Sequence, residues 1–210
     1  MTGAFWGDLR YAARLLRRAP AFTAVAVITL ALGIGAHTAI FSIVDAALLQ
    51  PLPYPQPDRL VVLSETVQRD SVERRPLSYA DFRDVRERSS SFTAMAAWTN
   101  ETLTLSTVGA PARQVSGELV TSNYFDLLCA TPAAGRTFTR AEAEERDAHP
   151  LVIVSHAFAA RTFGSAGAAI GQSVMLNDRA FAVLGVLQPG FSGLSDTCEV
   201  WVPVGMLSVA

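Results

Sequence analysis

The sequence predicts an α+β protein that is held in a membrane by one N-terminal helix. Residues 21–44 contain no Asp, Glu, Lys or Arg, and about 20 apolar residues are enough for a helix to cross the hydrocarbon core of a bilayer. The rest of the chain alternates short strand-like and helix-like segments, which is typical of layered α+β domains. A buried helix of a soluble protein is the alternative for residues 21–44, but an apolar run of this length favours a membrane span.

Charge on either side of this segment predicts its orientation. Residues 1–20 carry four arginines against one aspartate, a net charge of +3, whereas the whole chain carries −2. The four arginines are Arg10, Arg14, Arg17 and Arg18. Positive charge beside a span stays on the cytoplasmic side, so we expect the N-terminus inside the cell and the long C-terminal part outside. A cleaved signal peptide would have a shorter apolar core, of about 7–15 residues, so we interpret the segment as an uncleaved anchor.

Residues 1–20 also have helical spacing of apolar side chains, with the arginines on the adjoining face. This pattern indicates a basic amphipathic helix whose arginines lie at the membrane interface. Its simplest role is to fix the topology, because basic segments beside a span are common on lipid grounds alone. A docking surface for a cytoplasmic partner is the alternative.

Small residues recur at every fourth position inside the predicted span, at Ala31, Gly35 and Ala39. Small side chains let a second helix approach closely in lipid, so this face predicts neighbouring transmembrane helices. The span also contains His37, and Asp45 lies near its outer end. We favour a neutral His37 bonded to a neighbouring helix and an Asp45 in interfacial water, because no second ionisable group lies at depth to form a relay.

The residues after the span predict a domain of mixed secondary structure. Alternating prolines make residues 50–59 a stiff linker. Strands are predicted over residues 60–67, 113–121, 151–155, 173–176, 180–187 and 199–204, a hairpin over 92–98 and 101–108, and helices over 78–88, 122–128, 139–146 and 156–163. We expect Ser78 and Thr139 to cap their helices, and Asn177 and Asp178 to form a hairpin turn. We expect three acids, Glu142, Glu144 and Glu145, on a solvated helix face.

The sequence contains no catalytic constellation. All 17 basic residues are arginines, so the chain lacks the lysine of a Walker A loop or of Schiff-base chemistry. His149 and His156 have no third ligand at zinc spacing. The segment 190–194 lacks the second glycine of a nucleophile elbow. We therefore expect no enzyme activity, no metal and no cofactor.

Two further observations concern the part of the chain after the span, namely its cysteines and its net charge. Cys129 and Cys198 both fall after the span, where an oxidising compartment would allow them to pair. A single pair at this spacing is weak evidence for a disulfide because the geometry is demanding, so both alternatives stay open. The net negative charge of the outer part argues against nucleic acid as a partner.

A series of sequence blocks runs in order along nearly the whole chain. The blocks are RAPAFTAVAVITLALGIGAHTAIFSIVDAALLQPLPYPQPDRLVVL, SYADFRDVRERSSSF, NYFDLL followed by GRTF, VIVSHAF, IGQSVMLN, VLGVLQPGF and VWVP. Together they resemble the MacB/FtsX-like ABC transporter permeases, in particular the duplicated permeases of acidobacterial type. The family pattern has Asn at the positions of His37 and Asp45, Arg at Gln50 and Gly at Cys129, which leaves any role specific to these positions open.

The resemblance implies the permease component of an ABC transporter of the bacterial inner membrane. A separate cytoplasmic ATPase subunit would hydrolyse ATP, and the permease would carry the motion to a periplasmic or extracellular domain for export or efflux. The implied partners are that ATPase, the remaining permease helices or a second permease copy, and the lipid bilayer. A single-span anchored binding or adaptor domain without transport activity is the alternative, and an enzyme is a third.

The resemblance also implies a division of the chain. Its parts would be a cytoplasmic helix over 1–20, a transmembrane helix over 21–49, a linker over 50–59 and a MacB-like periplasmic core domain over 60–210. The core domain would have two lobes, a split lobe beginning at 60–112 and an inserted lobe over 113–204. Family members have further spans, so the chain is expected to be an N-terminal fragment whose membrane-proximal lobe is incomplete.

Overall fold

The structure, a computed structural model, describes residues 11, 14, 16–44, 57–69, 71–107 and 110–207. It divides into two units, Met1–Pro53 and Tyr54–Ala210, and each is described by itself.

The first unit contains one long helix, α1, over Pro20–Val44. Proline suits this first position because its missing N–H would have no partner in the helix. Within the described residues, Pro20–Ser42 is the one helix long and apolar enough to cross a membrane, with a mean hydropathy of 2.0. Two threonine hydroxyls donate hydrogen bonds to carbonyls one turn earlier in the same helix. Thr29 Oγ1 donates to the Val25 carbonyl at 2.8 Å, and Thr38 Oγ1 to the Ile34 carbonyl at 2.8 Å. These two hydroxyls are therefore satisfied within the helix, as polar groups in a bilayer interior must be.

The described residues of the second unit form nine strands and several short helices. The strands are β1 (Ser64–Arg69), β2 (Ser71–Pro76), β3 (Trp98–Thr107), β4 (Ala110–Val120), β5 (Pro132–Gly135), β6 (Leu151–Val154), β7 (Ser173–Leu176), β8 (Arg179–Leu187) and β9 (Val200–Pro203). The helices are α2 (Tyr79–Arg88), α3 (Tyr124–Leu127), α4 (Arg140–Glu144), α5 (His156–Phe163) and α6 (Ala166–Ala169), with 3₁₀ turns at Pro57–Arg59 and Val204–Met206. This mixture confirms the α+β class.

Seven strands form one mixed sheet in the order β5-β8-β6-β9-β4-β3-β7. Strands β4 and β9 run parallel, as do β6 and β8, and the other pairs are antiparallel. The sheet closes on itself because β8 also pairs with β7, so that Ala182 lies between Leu151 of β6 and Ser173 of β7. Six strands thus form a closed ring, and β5 is added outside it on β8. Strands β1 and β2 pair with each other in a separate two-stranded sheet.

Both faces of the seven-stranded sheet are covered. Leu119, Val152 and Val154 belong to one core cluster, against which α5 and α6 pack. Their immediate neighbours Val120 and Ile153 belong to a second cluster, which contains the aromatic residues around α3. Successive side chains of a strand point to opposite faces, so adjacent residues of β4 and β6 fill different clusters. Central strands buried on both faces are typical of sheets with helices packed on them.

Several local predictions are confirmed. The Ser78 hydroxyl accepts a hydrogen bond from the Asp81 backbone N–H, and Thr139 forms a complete capping box with Glu142. Asn177 and Asp178 have φ values of 46° and 61° between β7 and β8. Two successive residues with positive φ are what a tight primed hairpin turn requires.

Other local predictions are wrong. The predicted hairpin over 92–98 and 101–108 does not form, because Trp98–Thr107 is one strand that pairs antiparallel with Ala110–Val120. The strand predicted over 60–67 begins only at Ser64. Strands β2 and β5 and helix α6 were not predicted. The lobe boundary expected between residues 112 and 113 lies inside β4, and the two-lobe division stays a prediction.

Candidate functional site

The small-residue face predicted for helix packing lies on α1. Ala31, Gly35 and Ala39 are exposed, and residues spaced by four lie along one face of a helix. A Cβ atom added at Gly35, or at Gly33, would meet no atom within 4 Å. The face is therefore free to receive a second helix as far as the first unit is concerned, and its role in packing remains a prediction.

The remaining predicted residues of the membrane segment are only partly covered by the structure. Arg14, Arg17 and Arg18 are exposed, and Arg10 lies outside the described residues. His37 is an exposed residue of α1, and Asp45 lies outside the described residues. The interfacial role of the four arginines stays a prediction.

Glu118 of β4, in the second unit, carries a fully buried carboxylate. Its Oε2 accepts hydrogen bonds from Tyr124 Oη at 2.6 Å and from Trp201 Nε1 at 2.8 Å. Its Oε1 accepts from the Ser195 backbone N–H and from Ser195 Oγ, both at 2.9 Å. Four donors from three separate segments thus replace the water that the carboxylate loses on burial.

The loop between β8 and β9 is built around this carboxylate. Gly193 has a φ of 74°, and a Cβ atom there would lie 2.5 Å from Glu118 Oε2, so the close approach requires glycine. The next residue, Leu194, donates its backbone N–H to Tyr124 Oη at 3.1 Å. The Phe191 ring lies 5.5 Å from the Trp201 ring. Residues 190–194, which lack the second glycine of a nucleophile elbow, therefore form a structural loop that packs closely against Glu118.

The sequence analysis did not identify Glu118. The available signal was an acid between Gly117 and Leu119 in a segment predicted to be a strand, where a buried charge needs partners. Its partners Tyr124 and Trp201 lie 6 and 83 residues away along the chain, so the sequence does not reveal the network.

The two cysteines do not pair in the structure. Cys129 is an exposed free thiol and Cys198 a buried one. Burial, together with the charge of nearby Glu118, raises the pKa of the Cys198 thiol well above its usual range, and its Sγ donates to the Val200 carbonyl at 3.0 Å. Such a thiol is inert. Within the described residues, no group of three or more His, Cys, Asp or Glu side chains is placed to hold a metal ion.

The acids predicted on a solvated face of α4 behave differently from one another. Glu142 accepts two hydrogen bonds from Arg136, at 2.6 and 2.7 Å, and these bonds lower its pKa to about 2. Glu144 accepts two from Arg86 of α2, at 3.0 and 3.1 Å. Both carboxyl side chains are about 16–17% exposed, so the prediction is wrong for them. Glu145 is exposed as expected.

A second ionic cluster joins β4 to α5. Arg113 and Arg161 each bind one oxygen of Glu199, at 3.1 and 2.7 Å. Both guanidinium groups also lie over the ring of the fully buried Phe158, at 5.7 and 5.9 Å from its centre. The cluster thus lies against Phe158, a member of the first core cluster.

Comparison with known proteins identifies the fold. The sequence profile of the MacB-like periplasmic core domain matches residues 23–210. The periplasmic region of MacB from Actinobacillus actinomycetemcomitans has a TM-score of 0.51 and 18% identity, over 61% of this chain and 56% of that one. The extracellular domain of the noncanonic ABC-type transporter YknZ from Gram-positive bacteria has a TM-score of 0.51 and 20% identity, over 64% of this chain and 66% of that one.

These comparisons differ in what they establish. At this identity the two solved structures show a shared fold, and the chain spans 56% and 66% of their lengths. Among curated proteins, none matches the sequence. The family profile covers most of the chain, including nearly all of α1. The chain therefore belongs to the family of MacB-like periplasmic core domains, which points to an ABC transporter permease.

Proposed function

We propose that the chain is the membrane component of an ABC transporter permease that couples ATP hydrolysis to export or efflux. In this proposal a separate cytoplasmic ATPase hydrolyses ATP, and α1 carries the resulting motion to the outer domain. One observation carries the proposal: the family match begins at residue 23, inside α1, and continues through the outer domain to residue 210. The span-like helix and the outer domain therefore belong to one family unit.

The chemistry of the chain supports this division of labour. The sequence contains no lysine, and a Walker A loop needs its lysine on the nucleotide phosphates. The buried acid Glu118 is fully occupied by four donors from the protein, which suits a structural role better than a catalytic one. ATP hydrolysis is thus assigned to a partner, and the chain's own task is mechanical.

In this proposal, α1 transmits motion by packing against other transmembrane helices of the permease or of a second copy. The small-residue face of Ala31, Gly35 and Ala39 is the contact surface, because small side chains let helix backbones approach closely. The arginines Arg14, Arg17 and Arg18 hold the N-terminal end at the cytoplasmic interface. The outer domain then lies in the periplasm or outside the cell.

The test is a matched pair of substitutions on α1. Gly35→Leu places a large side chain on the small-residue face, and Gly33→Leu places the same side chain two positions away, on the other side of the helix. Neither site has an atom within 4 Å of an added Cβ, and leucine favours membrane insertion. We expect Gly35→Leu to weaken association in the assembled permease about tenfold or more, and Gly33→Leu to leave it near the wild-type value.

The measurement is chemical crosslinking, or a membrane two-hybrid signal, between α1 and the other permease helices. Both variants must be expressed at the same level. Association that is unchanged by Gly35→Leu would show that the Gly35 face meets lipid. If α1 associates with no other helix and no ATPase subunit copurifies with the permease, the single-span adaptor is supported and the proposal fails.

A further inference from the structure

Helix α2, Tyr79–Arg88, is the first α-helix of the outer domain and packs differently from the others. Phe82 is its one buried residue, and among the described residues Phe82 belongs to neither core cluster. The Tyr79 ring stacks on Phe82 at 6.0 Å, and the Arg86 guanidinium lies over the Phe82 ring at 5.2 Å. Two of the contacts of the Phe82 ring are therefore made within the helix itself.

Arg86 connects this helix to α4, 58 residues further along the chain. Its Nη1 and Nη2 donate to Glu144 Oε1 and Oε2 at 3.0 and 3.1 Å. The two side chains are 20% and 16% exposed. Two parallel bonds between a guanidinium and a carboxylate fix both distance and orientation, and partial burial makes them stronger than an exposed ion pair.

Helix α4 is a firm support for this contact. Its Ala143 is fully buried, and its N-terminus is closed by the capping box of Thr139 and Glu142. The 3₁₀ turn after β9 lies so close that a Cβ atom on Gly205 would be 2.9 Å from the Glu145 carbonyl carbon. Glu144 is also held by Arg140 Nε at 3.3 Å. The carboxylate that receives Arg86 is thus fixed to the seven-stranded sheet.

The other ion pair of α2 provides a contrast. Arg88 lies 3.8 Å from Asp84 of the same helix, and the two side chains are 83% and 66% exposed. A pair of this kind contributes little to stability and makes no contact with α4. The two arginines, two positions apart, thus differ in whether they connect the helix to the sheet.

We propose that the Arg86–Glu144 pair is the joint that docks α2 on α4, so that movement of the segment between the membrane and α2 is transmitted to the seven-stranded sheet. Arg86 is then a positioning residue. The transmission rests on the proposed function, whereas the docking does not. Without the pair, α2 keeps its helical caps and its internal ring contacts but moves independently of the sheet.

The test is hydrogen exchange of the full chain in detergent micelles, read over α2 and, separately, over β6 and β8. We expect Arg86→Glu to speed exchange of the α2 amides about tenfold, equivalent to ~1.4 kcal/mol, without changing β6 or β8. Arg88→Glu is the matched control, with the same charge reversal on the same helix, and should change α2 exchange less than about twofold. Glu144→Gln, which keeps the size of the side chain, should act like Arg86→Glu but more weakly.

The charge-swapped double variant, Arg86→Glu with Glu144→Arg, decides whether the pair itself is responsible. It should restore α2 exchange to within about twofold of wild type, which a purely local effect on helix propensity would not do. The proposal is overturned if Arg86→Glu and Arg88→Glu speed α2 exchange equally, or if Arg86→Glu speeds the exchange of β6 and β8 as much as that of α2. It is also overturned if the double variant does not restore α2 exchange. None of these measurements requires an ATPase, so a failure of the docking is distinguishable from a failure of the transporter function.

Discussion

Replacing Glu118 by glutamine tests whether the buried carboxylate organises the second unit. Glutamine has nearly the same shape, but one of its two terminal groups is an NH₂ donor. The two Glu118 oxygens face Trp201 Nε1 and the Ser195 backbone N–H, respectively, and both partners can only donate. Whichever way the amide is turned, one of these N–H groups therefore meets a second donor.

The cost follows from this geometry. The hydroxyls of Tyr124 and Ser195 can rotate to accept, but the N–H that faces the amide NH₂ is left buried without a partner, at about 1–3 kcal/mol. The remaining bonds also lose the assistance of the negative charge, since hydrogen bonds to charged groups contribute about 1.5–3 kcal/mol each. We expect a total loss of about 2–4 kcal/mol, or a fall in Tm of about 5–15 °C for a domain of this size.

The assay is thermal unfolding of the full chain in detergent, followed by near-UV circular dichroism. Glu101→Gln is the control, because Glu101 lies on the neighbouring strand opposite Gly117 and is only half-buried. A fall in Tm no larger than that of Glu101→Gln would refute the reasoning, since it would mean that the four donors are equally well served by a neutral acceptor.

Two further predictions concern pH and topology. Hydrogen bonds from Arg136 lower the pKa of Glu142 to about 2, so the folded form gains stability above the ordinary glutamate pKa, near ~4.3, and loses it as the pH falls toward 2. The Tm of wild type should therefore fall more steeply than that of Glu142→Gln between about pH 5 and pH 2, and parallel curves would contradict the assignment. Alkaline phosphatase fused after Ala210 should be active and a green fluorescent protein fusion dark, because the arginines before α1 retain the N-terminus inside; the reverse pattern would overturn the orientation.

The elements that the sequence predicted well are those that their own local sequence signals, without help from pairing partners. Strand β6 (LVIV) is a continuous apolar run, and β8 follows a turn whose residues require positive φ. Strand β2 (SVERRP) and strand β5 (PAAG) were missed because they are charged or built from small residues. Such strands depend on pairing partners rather than on their own propensity.

The wrongly predicted hairpin over 92–108 and the buried Glu118 show a second limit of prediction from sequence. The hairpin predicted over 92–98 and 101–108 places residues 99–100 between two strands, but Asn100 lies inside β3, opposite Glu118 in the strand register. The pairing of β3 with β4 runs through the position where the turn was expected. Glu118 and the Arg86–Glu144 pair likewise have partners that are brought together only by the folded sheet.

The separation of β1 and β2 from the closed ring has a mechanical consequence. The hairpin pairs Ser64 with Pro76 at its open end and Arg69 with Ser71 at its tip, so tension along the chain would open it one residue pair at a time. Inside the ring, β4 and β9 run parallel, and tension along them must shear several hydrogen bonds together. The hairpin should therefore yield at a lower force than the closed ring, and under the proposed transmission it would limit the force that reaches α2.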